Sequence, residues 1–81
     1  MANCYLIMTS ETGDRLRPCL FVAVAEDEAD AIDAFVRGFS DYMALGESAS
    51  IAGRCEPVAA RKMGVPLERP GYAAPLAQHL Q

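Results

Sequence analysis

NCYLIMT at residues 3–9 and CLFVAVA at residues 19–25 are two apolar segments, and EDEAD at residues 26–30 follows the second of them directly. Gly13 and Asp14 lie between the two segments, and both residue types tolerate the backbone conformations of a tight turn. The pattern predicts an antiparallel β-hairpin that leads straight into an acidic helix start. Because both strands carry apolar side chains on both faces, one helix cannot cover the whole hairpin.

The second face of the hairpin therefore needs a cover of its own. We expect this cover to be the proline-rich tail over residues 65–80, a second copy of the chain in a homodimer, or another partner. The residues expected on this face are Tyr5, Ile7, Leu20, Val22 and Val24. The helix is then expected to cover Leu6, Met8, Phe21 and Ala23.

A helix is predicted to begin near Asp27 and to end at Gly46, where glycine favours the left-handed termination of a helix. Asp33 and Arg37 are spaced for an ion pair on its exposed side. Apolar residues recur at intervals of three and four, which is typical of a helix with one buried stripe. The predicted stripe consists of Ala29, Ile32, Val36, Phe39 and Met43, widened by Phe35 and Tyr42.

Residues 48–56 are predicted to form a third strand, which Gly53 interrupts. Pro57 and Gly64 favour a helical turn between them. Prolines then disfavour regular structure up to position 75, after which a short helix is allowed. The predicted fold is a single α+β domain over residues 1–81 with element order β-β-α-β. It is a three-stranded antiparallel sheet with one long helix on one face and an irregular proline-rich tail over residues 65–81.

The charge of the chain is −4 and is unevenly spread. Residues 26–47 hold seven acids against one arginine, whereas residues 48–81 hold four basic residues against two acids. This distribution disfavours direct nucleic-acid binding and favours a protein partner with a basic surface. No apolar run is long enough to span a bilayer, and no basic residue precedes Arg15, so we expect a cytoplasmic protein. Six of the seven basic residues are arginine, and alanine is abundant. This composition suggests that a GC-rich bacterial or phage genome encodes the chain.

Neither the cysteines nor the histidine form a recognisable motif. Cys4, Cys19 and Cys55 lack the paired spacing of zinc sites, and the predicted hairpin places Cys4 too far from Cys19 for a disulfide. We expect three reduced, mostly buried thiols. His79 lies near the C-terminus, where a solvated side chain is expected. The sequence predicts no catalytic residue, no metal and no cofactor, and the chain is not expected to be an enzyme.

The acidic helix is the candidate binding site. Glu26, Asp30, Asp33 and Asp41 are spaced to lie near one helix face, and Asp27 lies beside them. Carboxylates one helical turn apart are spaced about as closely as successive phosphates of a nucleic acid, so this face could imitate a phosphate track. The alternative is a solvated helix face with acids that suit the helix dipole.

The build of the chain resembles that of small phage-encoded anti-CRISPR proteins. They too are short and acidic and open with a strand-turn-strand-helix, here residues 4–8, 20–25 and 27–42. The resemblance implies a non-enzymatic, protein-binding inhibitor that blocks an RNA-guided effector complex by steric hindrance or nucleic-acid mimicry. Two other classes stay open: a homodimeric structural or regulatory protein, and a small enzyme or ligand-binding subunit that uses Cys19 or Cys55.

Overall fold

A computed structural model describes residues 2–9, 20–39 and 49–79 of the chain. Its strands are β1 (Asn3–Thr9), β2 (Leu20–Ala25), β3 (Ala49–Cys55) and β4 (Ala73–Pro75). Its helices are α1 (Glu28–Gly38) and α2 (Pro57–Met63), and Leu76–His79 forms a short 3₁₀ helix. The described strands form one antiparallel sheet in the order β3-β1-β2-β4. The α+β class is confirmed, and the described residues contain four strands and two α-helices where three strands and one long helix were predicted.

The register of the hairpin decides which side chains share a face. Residues directly opposite each other in an antiparallel pair lie on the same face, and Tyr5 is opposite Ala23 while Cys4 is opposite Val24. One face was predicted to carry Tyr5, Ile7, Leu20, Val22 and Val24. This prediction is wrong, because Tyr5 and Ile7 lie on the opposite face from the other three. The prediction placed the pairing one residue out of register, and such a slip moves every side chain of a strand to the other face. The predicted turn at Gly13 and Asp14 lies outside the described residues.

Strand β3 pairs with the other side of β1 and contains a bulge. Leu6 is opposite Gly53 and Ile7 is opposite Ile51, so Ala52 is an extra residue on β3. One unpaired residue of this kind bends the strand and increases its twist. The interruption predicted at Gly53 is thus a β-bulge, and the strand continues through it to Cys55.

Helix α1 covers one face of the sheet through an aromatic cluster. The ring centroid of Phe21 lies 4.7 Å from that of Phe35 and 4.8 Å from that of Phe39. Within α1, Ala31 and Phe35 are fully buried. Ile32 and Val36 are half-buried, and Ala29 is exposed. The fully buried positions of the helix are therefore Ala31 and Phe35, each one residue before a predicted stripe position.

Helix α1 is shorter than predicted. Asp27 is its N-cap, and Gly38 is its last residue. Phe39 leaves the helical conformation at φ −134°, while its N–H still donates to the carbonyl of Phe35 at 2.8 Å. Glycine has low helix propensity, and the change of direction turns the Phe39 ring towards Phe21. Tyr42, Met43 and Gly46 lie outside the described residues.

The other face of the sheet is covered by α2 and by residues 65–79. The buried side chains here are Cys4, Val22, Val24, Ala60 and Val65, and Leu6, Cys55, Met63, Leu67, Tyr72 and Leu76 pack against them. The tail, one of the expected covers, and α2 together cover the part of this face around Cys4, Val22 and Val24. Met8 and Leu20 lie on the same face and are exposed. In the described part of the chain, no helix is long and apolar enough to cross a membrane.

Part of the tail adds a strand to the sheet. The N–H of Val24 donates to the carbonyl of Tyr72 at 2.8 Å, and the N–H of Gly71 donates to the carbonyl of Val24 at 2.8 Å. The expectation that prolines exclude regular structure before position 75 is wrong, because β4 is an edge strand, where Pro75 need not donate. Gly64 ends α2 in the left-handed region at φ 84°, as predicted.

Candidate functional site

A group of exposed acidic residues directly follows the buried end of β2. Ala25 is 3 % exposed, and residues 26–30 after it are all exposed. We call Glu26, Asp27, Glu28 and Asp30 the acidic start of α1. The abrupt change occurs because β2 is a central strand of the sheet, whereas the first turn of α1 lies at its end.

Asp27 has a structural role within this group. Its Oδ1 accepts a hydrogen bond from the backbone N–H of Asp30 at 2.8 Å, which is the contact that an N-cap residue makes. The negative side chains of Glu28 and Asp30 also suit the positive end of the helix dipole. The cap fixes the backbone that carries the other acids, so their side chains project from a defined helical turn.

The acids differ in whether a cation already neutralises them. Asp33 forms the predicted i,i+4 ion pair with Arg37 on the exposed side of α1. By contrast, Glu26, Glu28 and Asp30 have no ion-pair partner among the residues that the structure describes. The uncompensated negative charge of the described helix is therefore concentrated at its N-terminal end.

An open cleft of about 410 Å³ lies beside the acidic start. Tyr5 and Ile51 contribute apolar walls, and Asp27 and Glu28 contribute carboxylates. Arg54, which is opposite Tyr5 in the pairing of β1 with β3, adds one positive charge. Gly53 also lines the cleft. The cleft has no signal in the sequence, because it depends on the pairing of β1 with β3, which are far apart in the chain.

The predicted binding residues are only partly brought together. Glu26, Asp27 and Asp30 are exposed within one turn of each other, and Asp33 lies about one turn further along α1. Asp41 lies outside the described residues. Glu28 and Arg54, which were not predicted as binding residues, both line the cleft.

Two of the cysteines are neighbours in the sheet, which was not predicted from the sequence. Cys4 is buried and lies directly opposite Cys55, which is half-buried, in the pairing of β1 with β3. Burial raises the pKa of the Cys4 thiol to about 12, and the neighbouring Cys55 contributes to the rise. Both thiols are free in the structure, and Cys19 lies outside the described residues.

His79 is held by two hydrogen-bonding contacts, so the prediction of a solvated side chain is wrong. Its Nδ1 lies 3.0 Å from the carbonyl oxygen of Met63 and its Nε2 lies 2.8 Å from the hydroxyl of Tyr72. A carbonyl can only accept, so Nδ1 is the donor in the contact with Met63. Across residues 2–9, 20–39 and 49–79, no three metal-binding side chains gather at one point.

The lining of the cleft combines carboxylates, apolar side chains and the guanidinium of Arg54. Carboxylates at the rim can accept hydrogen bonds from an ammonium or guanidinium group, and the walls formed by Tyr5 and Ile51 can contact its methylene stem. Comparison with protein-family models, with curated proteins and with solved structures finds no match to this chain.

Proposed function

We propose that this chain is a small, non-enzymatic inhibitor that binds a basic surface of a protein partner through the acidic start of α1 and the adjoining cleft. The observation that carries the proposal is the exposure of Glu26, Glu28 and Asp30, none of which forms an ion pair within the described residues. By contrast, the carboxylate of Asp33 is already paired with Arg37.

The physical basis of the interaction is electrostatic attraction from a fixed surface. A cluster of like charges increases the rate at which a partner of opposite charge associates, and the effect weakens as salt increases. The Asp27 cap and the packing of Phe35 hold the first turn of α1 in place. Less conformational entropy is then lost on binding than if the same acids lay on an unstructured segment.

The cleft supplies specificity that charge alone does not. A lysine or arginine of the partner can place its charged group against Asp27 and Glu28 while its stem contacts Tyr5. Arg54 repels a second cation on the opposite side of the cleft, which favours one orientation of the incoming side chain.

The resemblance in build to small anti-CRISPR proteins directs the choice of partner. Proteins that hold a guide RNA and its target have positively charged channels that contact phosphates. Carboxylates presented on a rigid turn can occupy such a channel in place of phosphates. We therefore extend the proposal to an RNA-guided effector complex as the partner, with guided DNA binding as the step that is blocked.

The test is inhibition of guided DNA binding by a panel of purified RNA-guided effector complexes. The variant Glu26→Gln, Glu28→Gln, Asp30→Asn removes three charges, and Glu56→Gln, Glu68→Gln is a control at exposed acids elsewhere. We expect the wild-type chain and the control to inhibit at least one complex at near-stoichiometric concentration, and the triple variant to lose this inhibition. Absence of inhibition across the panel, or inhibition that the triple variant retains in full, would contradict the proposal.

A further inference from the structure

Two cysteines that are far apart in the sequence lie directly opposite each other in the sheet. Cys4 on β1 is paired with Cys55 on β3. Opposed residues in an antiparallel sheet have Cα atoms about 4.5 or 5.5 Å apart, and both distances lie within the range of about 4.4–6.8 Å that disulfides span. The two thiols are close enough that Cys55 contributes to the raised pKa of Cys4. No large movement of the backbone is needed to join the two sulfurs.

The two thiols differ in their access to solvent. Cys4 is 1 % exposed and lies under α2 and the tail, whereas Cys55 is half-buried on an edge strand. An oxidant from solution therefore reaches Cys55 first. Cys4 is shielded from the oxidant but is already placed to react with an oxidised Cys55.

We propose that Cys4 and Cys55 form a redox modification site that closes to an intramolecular disulfide when a hydroperoxide oxidises Cys55.

In the first step the Cys55 sulfur attacks one peroxide oxygen. The O–O bond breaks and an S–O bond forms, so that Cys55 becomes a sulfenic acid. The other peroxide oxygen takes the thiol proton and leaves as water, or as an alcohol when the hydroperoxide is organic. In the second step the Cys4 sulfur attacks the Cys55 sulfur. The S–S bond forms, the S–O bond breaks, and the departing hydroxide leaves as water with the Cys4 proton. Two thiols lose two electrons in total, and the peroxide gains them.

Closure of this bond ties β3 to the centre of the sheet. Cys55 is the last residue of β3, and Glu56 and Pro57 begin α2 directly after it. The disulfide therefore anchors both the edge strand and the start of the helix that covers Cys4. Because the closed loop contains most of the chain, the bond strongly restricts the unfolded state.

Peptide mapping of the full-length protein tests the proposal. Tryptic cleavage separates the three cysteines into peptides 1–15, 16–37 and 55–61. After treatment with hydrogen peroxide and alkylation in denaturant, we expect peptides 1–15 and 55–61 to be joined, with a mass about 2 Da below their sum. Dithiothreitol should separate them again.

Two variants complete the experiment. Cys19→Ser should still form the link, and its Tm should rise by about 10 °C or more on oxidation, whereas Cys55→Ser should show neither change. The proposal is overturned if oxidised protein carries a sulfinic acid on Cys55 with Cys4 free. It is equally overturned if peptide 16–37 takes part in the link, or if the linked Cys19→Ser variant melts no higher than its reduced form.

Discussion

The hydroxyl of Tyr72 lies 2.8 Å from Nε2 of His79, and the rings meet edge to face with centroids 5.8 Å apart. Nδ1 of the same histidine contacts the carbonyl of Met63 at the end of α2. His79 thereby links the 3₁₀ helix to the residue before β4 and to the end of α2. The last described residue of the chain is part of the packed structure.

Replacement of His79 by alanine should destabilise the protein, because the Tyr72 hydroxyl and the Met63 carbonyl both lose a half-buried partner. We expect a loss of about 1–2 kcal/mol in the free energy of unfolding. Urea unfolding measures it, and Gln78→Ala, at an exposed neighbouring position, is the matched control. Equal stability of the two variants would mean that these contacts do not hold the tail.

Removal of residues 65–81 should have a much larger effect than His79→Ala. The truncation uncovers Val22, Val24 and Cys4, which are at most 1 % exposed in the intact chain. It also removes β4, leaving an edge on β2. We expect the 1–64 fragment to unfold or self-associate, as seen by circular dichroism and light scattering. A fragment that stays monomeric and as stable as the full chain would show that this face needs no cover.

Loss of the Asp27 side chain should weaken the start of α1. Asp27→Ala removes the acceptor for the Asp30 N–H and should cost about 1 kcal/mol of stability, whereas Asp27→Asn keeps an acceptor and should cost less. Thermal unfolding compares the two variants with Glu26→Gln, which leaves the cap intact. If alanine and asparagine are equivalent, the cap is not a source of stability.

The raised pKa of Cys4 predicts a loss of stability in alkaline solution. The thiol has an ordinary pKa of 9.0 and a pKa of about 12 in the folded chain. Below pH 9 the thiol is protonated in both states, so the folded state has no disadvantage. As the pH rises from about 9 to about 12, the unfolded chain ionises first and folding becomes less favourable.

The check is the free energy of unfolding as a function of pH, measured under reducing conditions. The decline between pH 9 and pH 12 should be steeper for the wild-type chain than for Cys4→Ala, because the variant lacks the titrating group. Subtracting the two curves removes the contribution of tyrosine and lysine, which also ionise in this range. Parallel curves would show that Cys4 ionises as readily in the folded chain as in the unfolded one.

Local patterns were enough to predict the hairpin, the start of α1 near Asp27, the Asp33–Arg37 pair and the ends of α2. Each depends on residues within a few positions of one another. The hairpin register was missed by one residue, because alternation is weak when both strand faces are apolar. This slip is the reason that Tyr5 and Val24 were assigned to the same face.

The remaining features depend on contacts between distant parts of the chain. The cleft requires Arg54 to lie opposite Tyr5, and the thiol pair requires Cys55 to lie opposite Cys4. Both follow from the pairing of β1 with β3, whose register contains the bulge at Ala52. Strand β4 has three residues and ends in proline, so it offered no periodic signal, and His79 was missed because its partners come from the tail and α2.

The most direct test of the proposed function is the salt dependence of association with a complex that the chain inhibits. The association rate of the wild-type chain should fall steeply between 0.05 M and 0.5 M salt, since the screening length shrinks from about 14 Å to about 4 Å. The control Glu56→Gln, Glu68→Gln should behave similarly. The variant Glu26→Gln, Glu28→Gln, Asp30→Asn should associate at least about tenfold more slowly at low salt and show a shallower slope, with little change in dissociation. An unchanged association rate and salt slope in a correctly folded triple variant would contradict binding through the acidic start of α1.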